Sequence, residues 1–464
     1  MQSSRIIKYH FGSLSIILGF VVVLLHIIDM SAGDTWALNL RNSNSFQNIT
    51  IYSIITVIAL TIQTFFFVIS TRIAFRKKNI TSRLSLITKY LYISSHFTVI
   101  VLIAYLLSEQ LLFSMYHVIL IELIIGLSLI TSFVLLISLA FTGLKSYSST
   151  RSKIVVVYGI AIITLAVQLI IAFFYVELSL YSKPEIITPD RNPWASYFYT
   201  NIQSKMFLIY QVSEAISFIA VWITSILLTK QYANRIGKIK YSVTVSVPAI
   251  YFLLQYSPVL LDQIGTLSSL LMAEGSLFLY FYNFVLNTVN VGTGLLFGIS
   301  FYILSRSLFY DELKYYLIIC CTAIMIIFSS GISTILILAP FPAWAIVSLT
   351  FILPASFLLM IGLDSATYYI ASDTLLRRFL YRHKNQFELF QALGSTKTSY
   401  IIERKIQEIV RQQLTNLEID TIFIPVFEIE DSKKYIRKVI AEMKKSETDP
   451  KNTQSGNSSD QAIK

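Results

Sequence analysis

Long apolar runs broken by short polar segments fill the first 370 positions. A run of about 18 or more apolar residues is long enough to cross a bilayer as a helix. Ten are predicted, over residues 11–29, 51–71, 90–107, 117–143, 154–176, 207–229, 241–261, 277–305, 315–338 and 343–370. The fourth and eighth exceed what a bilayer needs, so tilt or extension beyond it is expected. The fold class is all-α, a polytopic transmembrane bundle over 1–370. Past 370 the pattern shortens. Residues 371–446 form an amphipathic, mostly helical tail, with Ile402, Ile406, Ile409, Val410 and Leu414 on one stripe and Tyr435, Ile436, Val439, Ile440 and Met443 on another. Residues 447–464 are polar without periodicity, the composition of a disordered terminus.

Composition sharpens this. Hydrophobic residues make up 55% of the 464 and charged residues 14%, against about 25% charged in a soluble domain. A water-soluble enzyme is excluded for most of the chain. The net charge of +11 is sorted between apolar runs rather than massed on one face, so no nucleic-acid partner is expected. Cytoplasmic loops collect Lys and Arg. An inside N-terminus puts seventeen of these before residue 370 on the cytoplasmic side and only Arg41, Lys183, Arg191 and Lys205 outside. Both termini are therefore expected in the cytoplasm of a cell-membrane protein. The first run has signal-peptide features, but its core is longer than the usual 7–15 residues. It is expected to stay as a span. Arg377, Arg378, Arg382 and Lys384 follow the last run as a stop-transfer cluster for anionic headgroups. Asn48 is the one external glycosylation sequon in this topology.

Ionisable and amide groups inside a bilayer are costly and mark interiors or cavities. His26 and Asp29 lie three apart on one helix face, near the outer end of the first run. His117, Glu122, Glu214, Gln168 and Gln255 also fall on the outer side, and His96 nearer the inner side. Asn283, Asn287 and Asn290 share one face of the eighth run. Gly294 and Gly298 continue that face as a G-x-x-x-G packing surface. Pro248 and Pro258 flank Gln255, and broken helices often line transporter sites. Ten acids against four bases on the outer side would favour cations.

Several chemistries lack their residues. No H-E-x-x-H is present. Cys320 and Cys321 are adjacent and form no metal knuckle. The isolated histidines read as bundle residues rather than haem ligands. Tyr310-Asp311 and Gly362-Leu363-Asp364 only partly match an aspartyl intramembrane protease pattern. The outer loops are short for an external transferase. No enzyme activity, cofactor or metal is expected.

The Leu393-Gly394-Ser395 segment, the Ile-rich charged helix after it and the 433–440 helix Lys-Lys-Tyr-Ile-Arg-Lys-Val-Ile resemble a set of uncharacterised multi-pass membrane proteins of ammonia-oxidising archaea. The resemblance implies a membrane location and assigns no activity. Three functions stay open. One is a transporter-like bundle with an outer polar cavity for a small or cationic solute. Another is a sensor signalling to a cytoplasmic partner through residues 393–446. The third is a structural subunit whose polar groups only join helices.

Overall fold

The computed structural model describes residues 2–31, 45–75, 83–150, 153–181, 185–188, 201–230, 233, 237–254, 294–303, 305–306, 310–330, 341–344, 346–373, 376, 394, 398 and 402. In chain order the elements are α1 (Gln2–Ser31), α2 (Ser45–Phe75), α3 (Arg83–Phe113), β1 (Tyr116–His117), α4 (Val118–Thr150), α5 (Lys153–Leu180), β2 (Ile186–Ile187), α6 (Asn201–Lys230) and α7 (Lys238–Leu254). Then come α8 (Gly294–Ile303), α9 (Asp311–Ser330), α10 (Ile346–Thr350) and α11 (Ile352–Ser372). The chain divides into two compact units, Met1–Leu393 and Gly394–Lys464. In the second, Thr398 Oγ1 donates to the Gly394 carbonyl at 2.8 Å, as in a helical turn.

Backbone N–H and C=O groups in hydrocarbon must be paired within the segment, which selects helices. Seven described helices are long and apolar enough to cross a membrane, and Leu14–Ile28, Tyr241–Ile250 and Gly294–Ile303 are shorter apolar helices. The many hydroxyls in these apolar runs fold onto their own helix. Thr61, Thr64 and Thr98, all exposed, each donate to the carbonyl four residues back at 2.8–2.9 Å, so a polar side chain meets lipid with its hydrogen bond already made.

Burial separates centre from rim. Within Ile346–Ser372, 94% of the most apolar window is buried, against 33% in Leu86–Phe113. The last span is therefore central. It packs on α9, α4, α2 and α3, and α9 packs in turn on α1. Helices α4, α5, α6 and α7 extend from this centre, each packed on the next. Gln63 pairs with Thr350, and Tyr52 with Trp344; α2 thus runs parallel to the last span. His26 pairs with Ser329 and Gly19 abuts Thr322, so α1 runs parallel to α9.

The strands were not expected. Tyr116 pairs with Ile187 and His117 with Ile186, antiparallel, and Val118 N–H donates to the Glu185 carbonyl at 3.0 Å. Just before them Ser114 takes a left-handed φ of 49°, which turns the chain tightly after α3. This clasp joins the α3–α4 and α5–α6 connections at one end of the bundle. The fourth run therefore starts its helix at Val118, and His117 precedes it.

Candidate functional site

The last apolar run, expected as one helix over 343–370, is interrupted at one residue, Phe351, whose backbone stays in the right-handed helical region (φ −65°, ψ −18°). Pro354 has no N–H, so the Thr350 carbonyl loses the donor that a continuous helix would bring it. Phe351 N–H bonds the Ser348 carbonyl at 3.3 Å, three residues back instead of four. The Val347 carbonyl is thereby released from its helical partner. Thr350 Oγ1 donates to it at 2.7 Å, and Gln63 Nε2 reaches it at 3.4 Å while bonding Thr350 Oγ1 at 2.6 Å. A side chain of α2 thus repairs a helix break. Gln63 is fully buried and stands near the middle of the span Ile49–Phe75, whereas Thr350 lies early in Ile346–Ser372 and Ser329 in the last turn of α9.

His26 flanks the same break. Its ring meets Phe351 edge-on at 5.4 Å, and its Nδ1 lies 2.9 Å from Ser329 Oγ. Ser329 spends its own proton on the Ile326 carbonyl at 3.1 Å. Gln63 Nε2 is identified by its carbonyl partner, which leaves Oε1 as the acceptor. Among the described residues, His26 Nε2, Gln63 Oε1, Thr56 Oγ1, Ser330 Oγ and Ser356 Oγ are buried without a hydrogen-bond partner. Buried polar atoms are normally paired; His96, Gln110 Nε2, Ser132 Oγ and Tyr158 OH, on α3, α4 and α5, are also buried polar groups without a hydrogen-bond partner. Sequence reasoning reached His26 but passed over Gln63, Ser330 and the break. The available signals were a mid-span amide and the Thr350–Pro354 spacing.

The other predicted residues lie elsewhere. Glu214 is buried on α6 facing α5. One turn on either side, Tyr210 and Ser217 both hydrogen-bond Gln168 of α5. Gln168 and Glu214 are thus brought together, away from the break. Glu122 is half-buried and lies within electrostatic reach of Glu177 across α4 and α5. At the clasp, the Glu109 carboxylate takes His117 twice: Oε2 accepts its backbone N–H at 3.1 Å and Oε1 its ring Nδ1 at 2.9 Å. Nearby Gln110 Oε1 accepts Ala343 N–H at 3.5 Å, and Tyr116 stacks on Phe341. His96 is buried in an aromatic stack with Phe67 and Tyr92.

Gly294 and Gly298 lie against α9. A Cβ at 294 would stand 2.8 Å from the Met325 carbonyl oxygen, and one at 298 would stand 2.8 Å from Met325 Sδ. Pro248 is buried inside α7. Asp29 and Asn48 lie in α1 and α2, their side chains outside the described set. Gln255, Pro258, Asn283, Asn287, Asn290, Arg377, Arg378, Arg382 and Lys384 lie outside the described residues.

No family model, curated protein or solved structure matches this chain. Its apolar helices identify it as a multi-pass integral membrane protein in contact with lipid.

Proposed function

We propose that the protein is a transporter-like bundle of ten spans in the cell membrane, with both termini in the cytoplasm and the clasp end outside. A small polar solute enters from the clasp end and passes the α10–α11 break. One observation carries the reading: a transmembrane helix interrupted at Phe351, beside buried polar groups that include His26 and Gln63. Broken helices at the midplane are where transporters place their solutes. The seventeen-to-four sorting of basic residues supports the orientation.

The structural-subunit reading has its own support on the α3–α6 side. There Thr131 donates to Ser95 at 2.9 Å and Ser217 to Gln168, so these polar groups satisfy one another as helix glue.

Pro354→Ala separates the readings. It restores an N–H for the Thr350 carbonyl and heals the break, so the protein should be at least as stable. Uptake of labelled neutral and cationic small solutes is measured in proteoliposomes. At least one solute should enter faster than in empty liposomes, and Pro354→Ala should cut that rate severalfold. No uptake of any solute, or uptake untouched by Pro354→Ala, would sink the transporter reading.

A further inference from the structure

We infer that the clasp is a releasable strap on the start of the last span and that Glu109 is its latch. When His117 leaves Glu109, β1, β2 and residues 341–344 loosen together, and solute entry requires that loosening. The requirement for entry rests on the transporter reading; the linkage itself does not.

The sheet is too small to hold itself. Each strand has two residues, and even a whole isolated hairpin is only marginally stable in water. Antiparallel pairs alternate between residues that exchange backbone hydrogen bonds and residues that do not. Val118 N–H bonds the Glu185 carbonyl. Its neighbour His117, paired with Ile186, therefore stands at a non-bonded position with its N–H turned away from β2. That N–H reaches α3 instead. Glu109 Oε2 accepts it at 3.1 Å, and Oε1 lies 2.9 Å from His117 Nδ1. One buried carboxylate thus does for β1 what a third strand would do. The turn between α3 and β1 works against this hold. Ser114 carries a Cβ at a φ of 49°, a left-handed conformation that side chains disfavour. A strained turn and a marginal sheet, set against two hydrogen bonds to one carboxylate, make an element with a closed and a released arrangement.

The clasp is also joined to the last span. Tyr116 of β1 stacks on Phe341. Gln110, the residue after Glu109, accepts Ala343 N–H at 3.5 Å. Helix α10 starts at Ile346. Two consecutive residues of α3 thus hold the two ends of the strap, Glu109 the strand and Gln110 the approach to α10. Tyr116 and Gln110 are fully buried, whereas His117 and Ile186 reach the surface. The latch is open to solvent, and its links to the last span are not.

Hydrogen exchange of the full-length protein in detergent tests the linkage. Glu109→Ala should speed exchange of a peptide over 114–120 about tenfold or more, the loss of a hydrogen bond to a charged acceptor. A peptide over 341–346 should speed up with it, and peptides from α6 should not. A cross-link approaches from the other side and leaves Glu109 and Gln110 in place. Residues at a non-bonded antiparallel pair have Cα atoms about 4.5 Å apart, within disulfide range. Oxidised His117→Cys/Ile186→Cys should slow exchange over 341–346 relative to the same protein reduced. It should also stop solute uptake in proteoliposomes until dithiothreitol restores it. Exchange over 341–346 that ignores either Glu109→Ala or the cross-link would overturn the inference. So would uptake that runs equally in the oxidised and the reduced protein. Linked exchange with no uptake by the natural protein would leave the strap standing and remove the transporter reading.

Discussion

Helix α9 meets two different surroundings along its length. From Tyr316 to Phe328 it is wrapped by glycines. Gly19 of α1, Gly294 and Gly298 of α8 and Gly362 of α11 all bring their backbones against it. At its last turn, Ser329 meets His26 beside the break. Lipid supplies no hydrophobic drive between helices, so close van der Waals contact must hold them. The glycine stretch does that and leaves no spare chemistry. The polar turn keeps part of that contact, Gly294 reaching the Ser329 backbone, and adds a side-chain hydrogen bond to α1. One helix thus anchors the bundle with one part and borders the break with the other.

Substitution in the glycine stretch should have the largest effect. A Cβ at 362 would stand 2.7 Å from Cys320 Sγ and 3.2 Å from the Tyr316 carbonyl oxygen. The backbone oxygen is not free to move aside. Gly362→Leu should cost about 3 kcal/mol, the upper end for overpacking, and appear as loss of a monodisperse peak in fluorescence-detected gel filtration. A folded, normally stable Gly362→Leu protein would show that α9 and α11 are not held by close approach.

At the other end, Gln63→Leu should cost about 1–2 kcal/mol. An ordinary interhelical hydrogen bond in a membrane is worth about 0.6 kcal/mol. Gln63 does more than that, because it supports a carbonyl already robbed of its helical donor. Stranding such a group costs about 1–3 kcal/mol. Thermal unfolding in detergent measures the difference. A cost at or below 0.6 kcal/mol would mean that Thr350 alone repairs the break.

The two ends also differ in how legible they were. Gly294 and Gly298 stood out because a four-residue repeat of small residues has one physical meaning on a helix. Long apolar runs are legible because one simple rule governs crossing a bilayer. The break did not stand out. Its cause, Pro354, sits in a run apolar enough to read as one helix, and its repair comes from Gln63, almost three hundred positions away. The clasp was equally silent, because strands of two residues carry no periodicity. His117 was noticed as a lone histidine, but its partner Glu109 lies across the Ser114 turn, beyond any helical spacing rule. Glu214 and Gln168 were each noticed for being polar within apolar runs, and their meeting depends on how α5 faces α6.

That α5–α6 contact offers the smallest test and a control for both ends of α9. Ser217 donates to Gln168 Oε1 and also lies 2.9 Å from the Glu214 carbonyl of its own helix. Its loss therefore removes one interhelical bond and strands little, because Gln168 keeps Tyr210 as a partner. Ser217→Ala should cost about 0.6 kcal/mol, the average for such a bond, a shift of no more than about 2 °C in melting temperature. Gln168→Leu should cost more, since Ser217 and Tyr210 both lose their shared partner. Neither should alter solute uptake in proteoliposomes. If Ser217→Ala proved as costly as Gln63→Leu, the α5–α6 polar cluster would be a structural centre in its own right. The contrast drawn along α9 would then not be special to that helix.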